Sequence, residues 1–276
     1  MSLLGVRGLK LSGTDLDFLV ETAFPQVTDK SKLKEIIKED QDFRNSFIQD
    51  GKVFRRVMDD DGILRKISPG LFFEILLRKA ASDLEEVGET FEKTSALQIA
   101  GCDAKDVVAL LTQDSLLGYL AHMLSSFTKA GSHSVSFRAK DGQMTKVRLS
   151  DMDIISLKTL SEAVDDGQRL GFYKRIADIC LFVLGIFPDY AYQGSRYPLL
   201  QQRRPQMGTM PGIGFEDYER EGRRFYKLAA EHKSAKELAL SQVFWTLHDH
   251  FQEAKKPLNF ISQYYLQQKG MKFFAQ

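Results

Sequence analysis

Cysteine, histidine and tryptophan are scarce in this chain of 276 residues, at two, five and one. Cys102 and Cys180 lie in apolar stretches of helical pattern, with no CxxC spacing and no histidine nearby. Neither belongs to a metal or redox motif, and both read as reduced, buried thiols of a cytosolic protein. A disulfide joining them is the other reading, and nothing else in the sequence asks for an oxidising compartment. The histidines build no metal site. His248 and His250 stand two apart, about 200° around a regular helix, so they cannot share an ion. His250 and Glu253 share a face, as in di-iron bundles, but no second ExxH or HxxE supplies facing ligands. His122, beside Tyr119 and Met123, reads as a hydrogen-bonded core histidine. No metal and no cofactor are expected.

An excess of charge is missing too. The 38 Lys and Arg against 37 Asp and Glu leave a net charge of +1, so no global field draws the protein to nucleic acid or an anionic membrane. The most apolar run, ICLFVLGIF at 179–187, is about half of what a bilayer span needs, and MSLLGVRGLKLSG is too short in apolar residues for a secretion signal. No GxSxG elbow occurs, and Gly194-Ser195 lacks the second glycine. PGIGF at 211–215 has glycines but neither the lysine nor the preceding strand of a phosphate loop. DDDG at 59–62 fails as a calcium loop, because placing Gly62 at position 6 puts Val57 at position 1 and Ser68 at position 12. It reads as a plain turn.

What the sequence has is helical periodicity on an ample core, with 43% hydrophobic residues. Thr14 with Asp17 reads as the cap of a short helix ending before Pro25. Thr28 or Asp29 opens a second, carried by Leu33, Ile36, Ile37, Phe43, Phe47 and Ile48 and stopped by Gly51. Ser68 and Pro69 start LFFEILLRKAASDLEEV, which is apolar beyond one stripe and so buried on two sides. Asp103 opens a stretch running to about Lys129. Val135, Phe137, a KDG turn, Met144, Val147 and Leu149 read as a small hairpin at about 133–149. Ser150 with Asp153 reads as a capping box. From Gln168 to Phe187 the chain is apolar on nearly all sides, the pattern of a central helix. Glu216, Ser234 and Pro257 open three more helices. The expected fold is mainly α: a multi-helix bundle with one hairpin and a long irregular segment at 188–214. A single helical domain over 1–276 is expected, with possible subdomains at 1–66 and 215–276.

FYKRIADICLFVLGIFPDY, followed after a gap by DYEREGRRFYKLAAEH, resembles a set of bacterial all-helical proteins in which an apolar LF, G and FP run precedes a helix rich in tyrosine and alanine. The resemblance covers roughly 168–268 and implies a helical fold without an assigned activity. Tyr226, Ala229 and Ala230 with Phe244, Phe251 and Ala254 also suggest a tetratricopeptide pair, but its Trp-Leu-Gly opening and a second copy are absent.

Two places invite function. Asp178 sits inside RIADICLFVLGIF, where a carboxylate must be paired, neutral or at a cavity. Lys174 and Arg175, one turn earlier, are the available partners. The segment 187–215 holds four of the seven prolines, with Tyr190, Tyr192 and Tyr197 as flat amphipathic surfaces and Arg196, Arg203 and Arg204 as donors. It suits either a structural connection or contact with a partner. With Arg223 and Arg224 on the adjoining helix, these residues form the candidate binding set of a non-enzymatic interaction protein that meets a protein partner or a second copy of itself. An enzyme or small-ligand-binding protein with a polar cavity in the bundle is the alternative. Nucleic-acid binding through the arginine pairs at 55, 203 and 223 is weaker, because the total charge is near zero. No membrane association is expected.

Overall fold

The computed structural model describes residues 10–90, 104–128, 132–138, 144–150, 152–187 and 215–269. They are mainly helical and fall into two compact units, one within Arg7–Ser125 and Phe260–Met271, the other within Ser126–Asn259. Among the described residues no single helix is long and apolar enough to cross a membrane.

The first unit begins with four short helices, α1 (Gly13–Ala23), α2 (Lys30–Glu39), α3 (Gln41–Ile48) and α4 (Gly51–Asp59). Aspartates punctuate them. Asp29, Asp40 and Asp50 each accept from a backbone N–H two or three residues on, at 3.0, 2.9 and 2.7 Å, and so start α2, α3 and α4. The single helix expected through Ile48 is therefore two, and Gly51 opens a helix instead of stopping one. The cap of α1 also differs from expectation. Ser12 and Asp15 form the capping box, not Thr14 and Asp17, because Asp15 is fully buried and its second oxygen accepts from the Ser68 N–H at 2.7 Å. One carboxylate thus joins the start of α1 to the start of the helix that follows. Asp17 turns outward to Lys34.

That helix, α5 (Pro69–Thr90), is capped by Ser68 as expected and buries Leu71, Phe72, Phe73, Leu76 and Leu77 completely. It packs against α6 (Ala104–Leu111) and α4, while α7 (Asp114–Phe127) follows α6 after a bend of 82°. The sequence 261–266 returns to this unit as a π-helix, Ile261–Leu266, against α5. Its Tyr265 donates to Asp83 at 2.5 Å and lies edge-on to Phe54.

Two antiparallel strands, β1 (Ser132–Arg138) and β2 (Met144–Ser150), run from Ser132 opposite Ser150 to Arg138 opposite Met144. The second unit is otherwise helical, built around α9 (Asp166–Ile186), from which Ile176 through Ile186 are all buried. It is flanked by α8 (Ile154–Ala163) and α10 (Phe215–Glu231). Asp153 itself caps α8, accepting from Ser156 N–H at 3.1 Å, because Ser150 is taken up in β2. Beyond α10 come α11 (Lys233–Glu237), α12 (Ser241–Asp249) and α13 (Phe251–Phe260). Pro257 lies inside α13 rather than at a helix start, because His250 ends α12 and Phe251 has already begun the next turn. Two breaks therefore replace the long helix expected from Ser234, one at Ala239, whose φ is 55°, and one at His250.

The cap of α11 is His232, not Ser234. Its Nδ1 accepts from the Ser234 N–H at 3.2 Å, so Nε2 carries the proton that it donates to the Asp166 carbonyl at 2.8 Å. His232→Ala is expected to cost about 1 kcal/mol, the usual worth of a cap, and His232→Asn to recover part of it. Thermal melts followed by Trp245 fluorescence check this. Equal losses in both variants would mean that the ring acts by packing alone.

Candidate functional site

The residues singled out in the sequence part into three groups. The segment 188–214, with Tyr190, Tyr192, Arg196, Tyr197, Arg203 and Arg204, lies outside the described residues. Asp178 lies at the heart of the second unit. Arg223 and Arg224 lie on the outer side of α10.

Asp178 has no exposed surface. Its Oδ2 pairs with the Lys174 ammonium at 2.6 Å, and its Oδ1 accepts from the Tyr226 hydroxyl at 2.9 Å. Spacing of four along α9 brings Lys174 onto the carboxylate, and α10 lays Tyr226 across it. Arg175 takes a different course. Its guanidinium stacks over Phe127, 4.0 Å from the ring centre, and donates to Ser126 at 2.9 Å, while Phe182 covers the other side of that ring at 4.0 Å. Asp178 is thus paired with one of the two basic neighbours, and in a place that water does not reach. A carboxylate so enclosed cannot act as an acid or base toward a substrate without the unit opening.

Beside it, Cys180 is fully buried and free, and burial raises its thiol well above the ordinary 9.0, with Glu221 and Asp178 adding to the effect against Lys158. Tyr265 in the first unit is raised from 10.0, first by burial and then by its bond to Asp83. Both groups favour the neutral form on folding, so their contribution is fully present below the unfolded values and is lost as pH rises through and above them. Stability is expected to fall above about pH 9. Cys180→Ala with Tyr265→Phe should flatten that decline, as read by denaturant melts between neutral pH and the alkaline range; an unchanged slope would assign it to other groups.

The helix α10 shows two faces. Tyr218, Phe225, Tyr226, Ala229 and Ala230 are buried, and Gly222 comes so close to α13 that an added Cβ would meet the Phe251 ring at 2.5 Å. The outer face alternates in sign: Arg220 pairs with Asp217 at 2.5 Å, Arg223 with Glu219 at 3.8 Å, and Arg224 with Glu221 at 3.7 Å while lying over Phe225. The arginine pair is therefore internally balanced and presents no basic stripe.

A further arrangement escaped the sequence reading. In the first unit Glu74 and Arg78, four apart on α5 and both nine-tenths buried, bond each other at 3.1 and 3.2 Å. Arg44 reaches Glu74 at 2.6 Å from α3. Arg78 also donates to Asn45 at 2.8 Å and Asp114 at 2.9 Å, and Asn45 donates to Asp114 at 3.0 Å. The network is two guanidinium groups against two carboxylates, so its charges cancel. It forms part of the wall of a cleft of about 500 Å³ between α3, α4, α5, α6 and α7, lined on the apolar side by Ile48, Phe54, Ile75, Val108, Leu111 and Leu117. The signal was in the sequence: a Glu and an Arg at helical spacing within FFEILLR have the same need for partners that drew attention to Asp178.

Among the described residues no cluster of three or more His, Cys, Asp or Glu is placed to hold a metal ion. No protein-family model matches the chain, and no curated protein and no solved structure does so either.

Proposed function

We propose that the protein acts by binding a protein partner through residues 190–215 and the outward face of α10. One observation carries the reading: α10 begins where that segment ends, and its exposed side holds Glu216, Arg220, Arg224 and Lys227 on a firmly packed helix. Interleaved charges of both signs suit electrostatic complementarity with another protein surface better than attachment to a phosphate backbone. The tyrosines and arginines of the segment are the residue types that anchor protein interfaces. The enclosure of Asp178 supports binding over catalysis.

Photo-crosslinking residues at positions 197 and 220, with Phe24 as an exposed control, test the reading. Positions 197 and 220 are expected to capture the same protein, and Arg203→Glu with Arg204→Glu to reduce capture about tenfold, in line with charge reversal at an interface. Dimers of the chain itself would make the partner a second copy. Equal capture from position 24 would overturn the assignment of this surface.

The cleft of the first unit favours a second reading, the binding of a small molecule. Its volume, about 500 Å³, and its mixture of apolar walls with a few fixed polar groups are those of a ligand site.

A further inference from the structure

From that second reading, on which the inference rests, we infer that the cleft of the first unit takes a small uncharged molecule bearing an amide edge and an apolar body. Arg78 lines the cleft and is 8% exposed. Its Nε and Nη2 serve Glu74, Asn45 and Asp114, but among the described residues nothing accepts from its Nη1. Arg78 lines the cleft, so a molecule bound there can supply the acceptor that this N–H lacks. Next to that donor stands an acceptor. Asp114 lines the same cleft, bonded to Arg78 at 2.9 Å through Oδ1 and to Asn45 at 3.0 Å through Oδ2, and its side chain is 40% exposed, so its oxygens keep acceptor capacity beyond those two bonds. A donor beside an acceptor is the complement of a C=O beside an N–H, the edge of a primary amide or a lactam.

The charge balance selects against ions. Arg44 and Arg78 cancel Glu74 and Asp114, and Lys79 is matched by Asp83. Glu85, an exposed carboxylate at the rim, is the remaining charge lining the cleft, and it disfavours an entering anion. An ammonium would meet Glu85 but would place a cation against Arg78. An amide meets neither penalty. Its apolar remainder faces Phe54, Ile75 and Leu111, where burial adds to affinity.

Titration of the full chain with 3-phenylpropanamide, 3-phenylpropanoate and 3-phenylpropylamine keeps the body constant and changes the head. Amide NMR shifts locate the binding, and the Arg78 Nε–H signal reports on the polar part of the wall. The amide is expected to bind with a Kd at least tenfold below that of either ion and to move the Arg78 signal. Ser82→Trp, placed at an exposed position on the wall of the cleft, is expected to weaken binding at least tenfold while leaving the melting temperature near that of the parent. If an ion binds in the cleft as tightly as the amide, the site stands and the amide assignment falls. Failure of all three probes to move any cleft residue would overturn the ligand-site reading itself, as would amide binding undiminished by Ser82→Trp.

Discussion

Lys174→Met is expected to destabilise the protein by about 3–5 kcal/mol, the usual cost of stranding one member of a buried ion pair. The lysine side chain is 6% exposed and its partner Asp178 is not exposed at all, so the carboxylate left behind cannot recover water. Removing both charges should cost less. In Lys174→Met with Asp178→Leu the buried carboxylate is gone, and replacement of a buried pair by apolar groups of similar volume is often neutral. Tyr226→Phe, which deletes the donor to Asp178 at 2.9 Å, is expected to cost about 1–3 kcal/mol. Urea melts of the three variants form the test. A double variant no more stable than Lys174→Met would show that the pair is not energetically coupled, and a Lys174→Met protein within about 1 kcal/mol of the parent would show that Asp178 reaches water.

Gly185→Ala and Gly167→Ala, the same exchange on the same helix, are expected to act in opposite directions. At Gly185 an added Cβ would lie 2.6 Å from the Cβ of Leu258 and 2.7 Å from its Cδ1, so α9 and α13 must separate. The Cβ is fixed to the backbone and cannot swing aside. Separation also strains the bonds that the Asn259 amide gives to the carbonyls of Leu184 and Gly185, at 2.9 and 2.6 Å. Overpacking of this kind costs about 1–3 kcal/mol, and the paired bonds place this site at the upper end. At Gly167 a Cβ meets nothing within 4 Å, so alanine gains up to about 1 kcal/mol of helix propensity. Thermal melts of the two variants decide it. A harmless Gly185→Ala would mean that the crossing of α9 and α13 is loose.

Much of the helical pattern was legible because it is local. From Gln168 to Phe187 the pattern is apolar on nearly all sides, which calls for a central helix, and α9 is buried from Leu170 to Ile186 except at Tyr173. Ser68 and Pro69 carry their own start signal, and the structure uses it. The caps that were misplaced share one cause. Ser12 and Asp15 offer the same capping chemistry as Thr14 and Asp17, and what decides between them is a backbone N–H at Ser68, fifty-three residues along the chain. Likewise Ser234 is a better cap by type than His232, but the Asp166 carbonyl holds the imidazole in place from α9. Of the candidate site, Asp178 and its need for a basic partner could be read directly. The choice of Lys174 over Arg175 could not, because it turns on Phe127 and Ser126 being there to take up the guanidinium.

By itself the sequence determined that this chain is mainly helical, that Asp178 is a charge in an apolar helix and needs a partner, and that no single helix among the described residues is long and apolar enough to cross a membrane. These follow from composition and from periods of three to four residues, which a reader of one strand of text can see. Only the tertiary structure decided that residues 260–266 rejoin the first unit, that Arg44, Glu74, Arg78 and Asp114 cancel one another at the wall of a cleft, and that Gly185 lets α13 approach α9. Each of these depends on groups brought together from far apart in the chain. Single residues state their needs in the sequence, for a partner, for space or for cover; which distant residue meets the need is settled by packing.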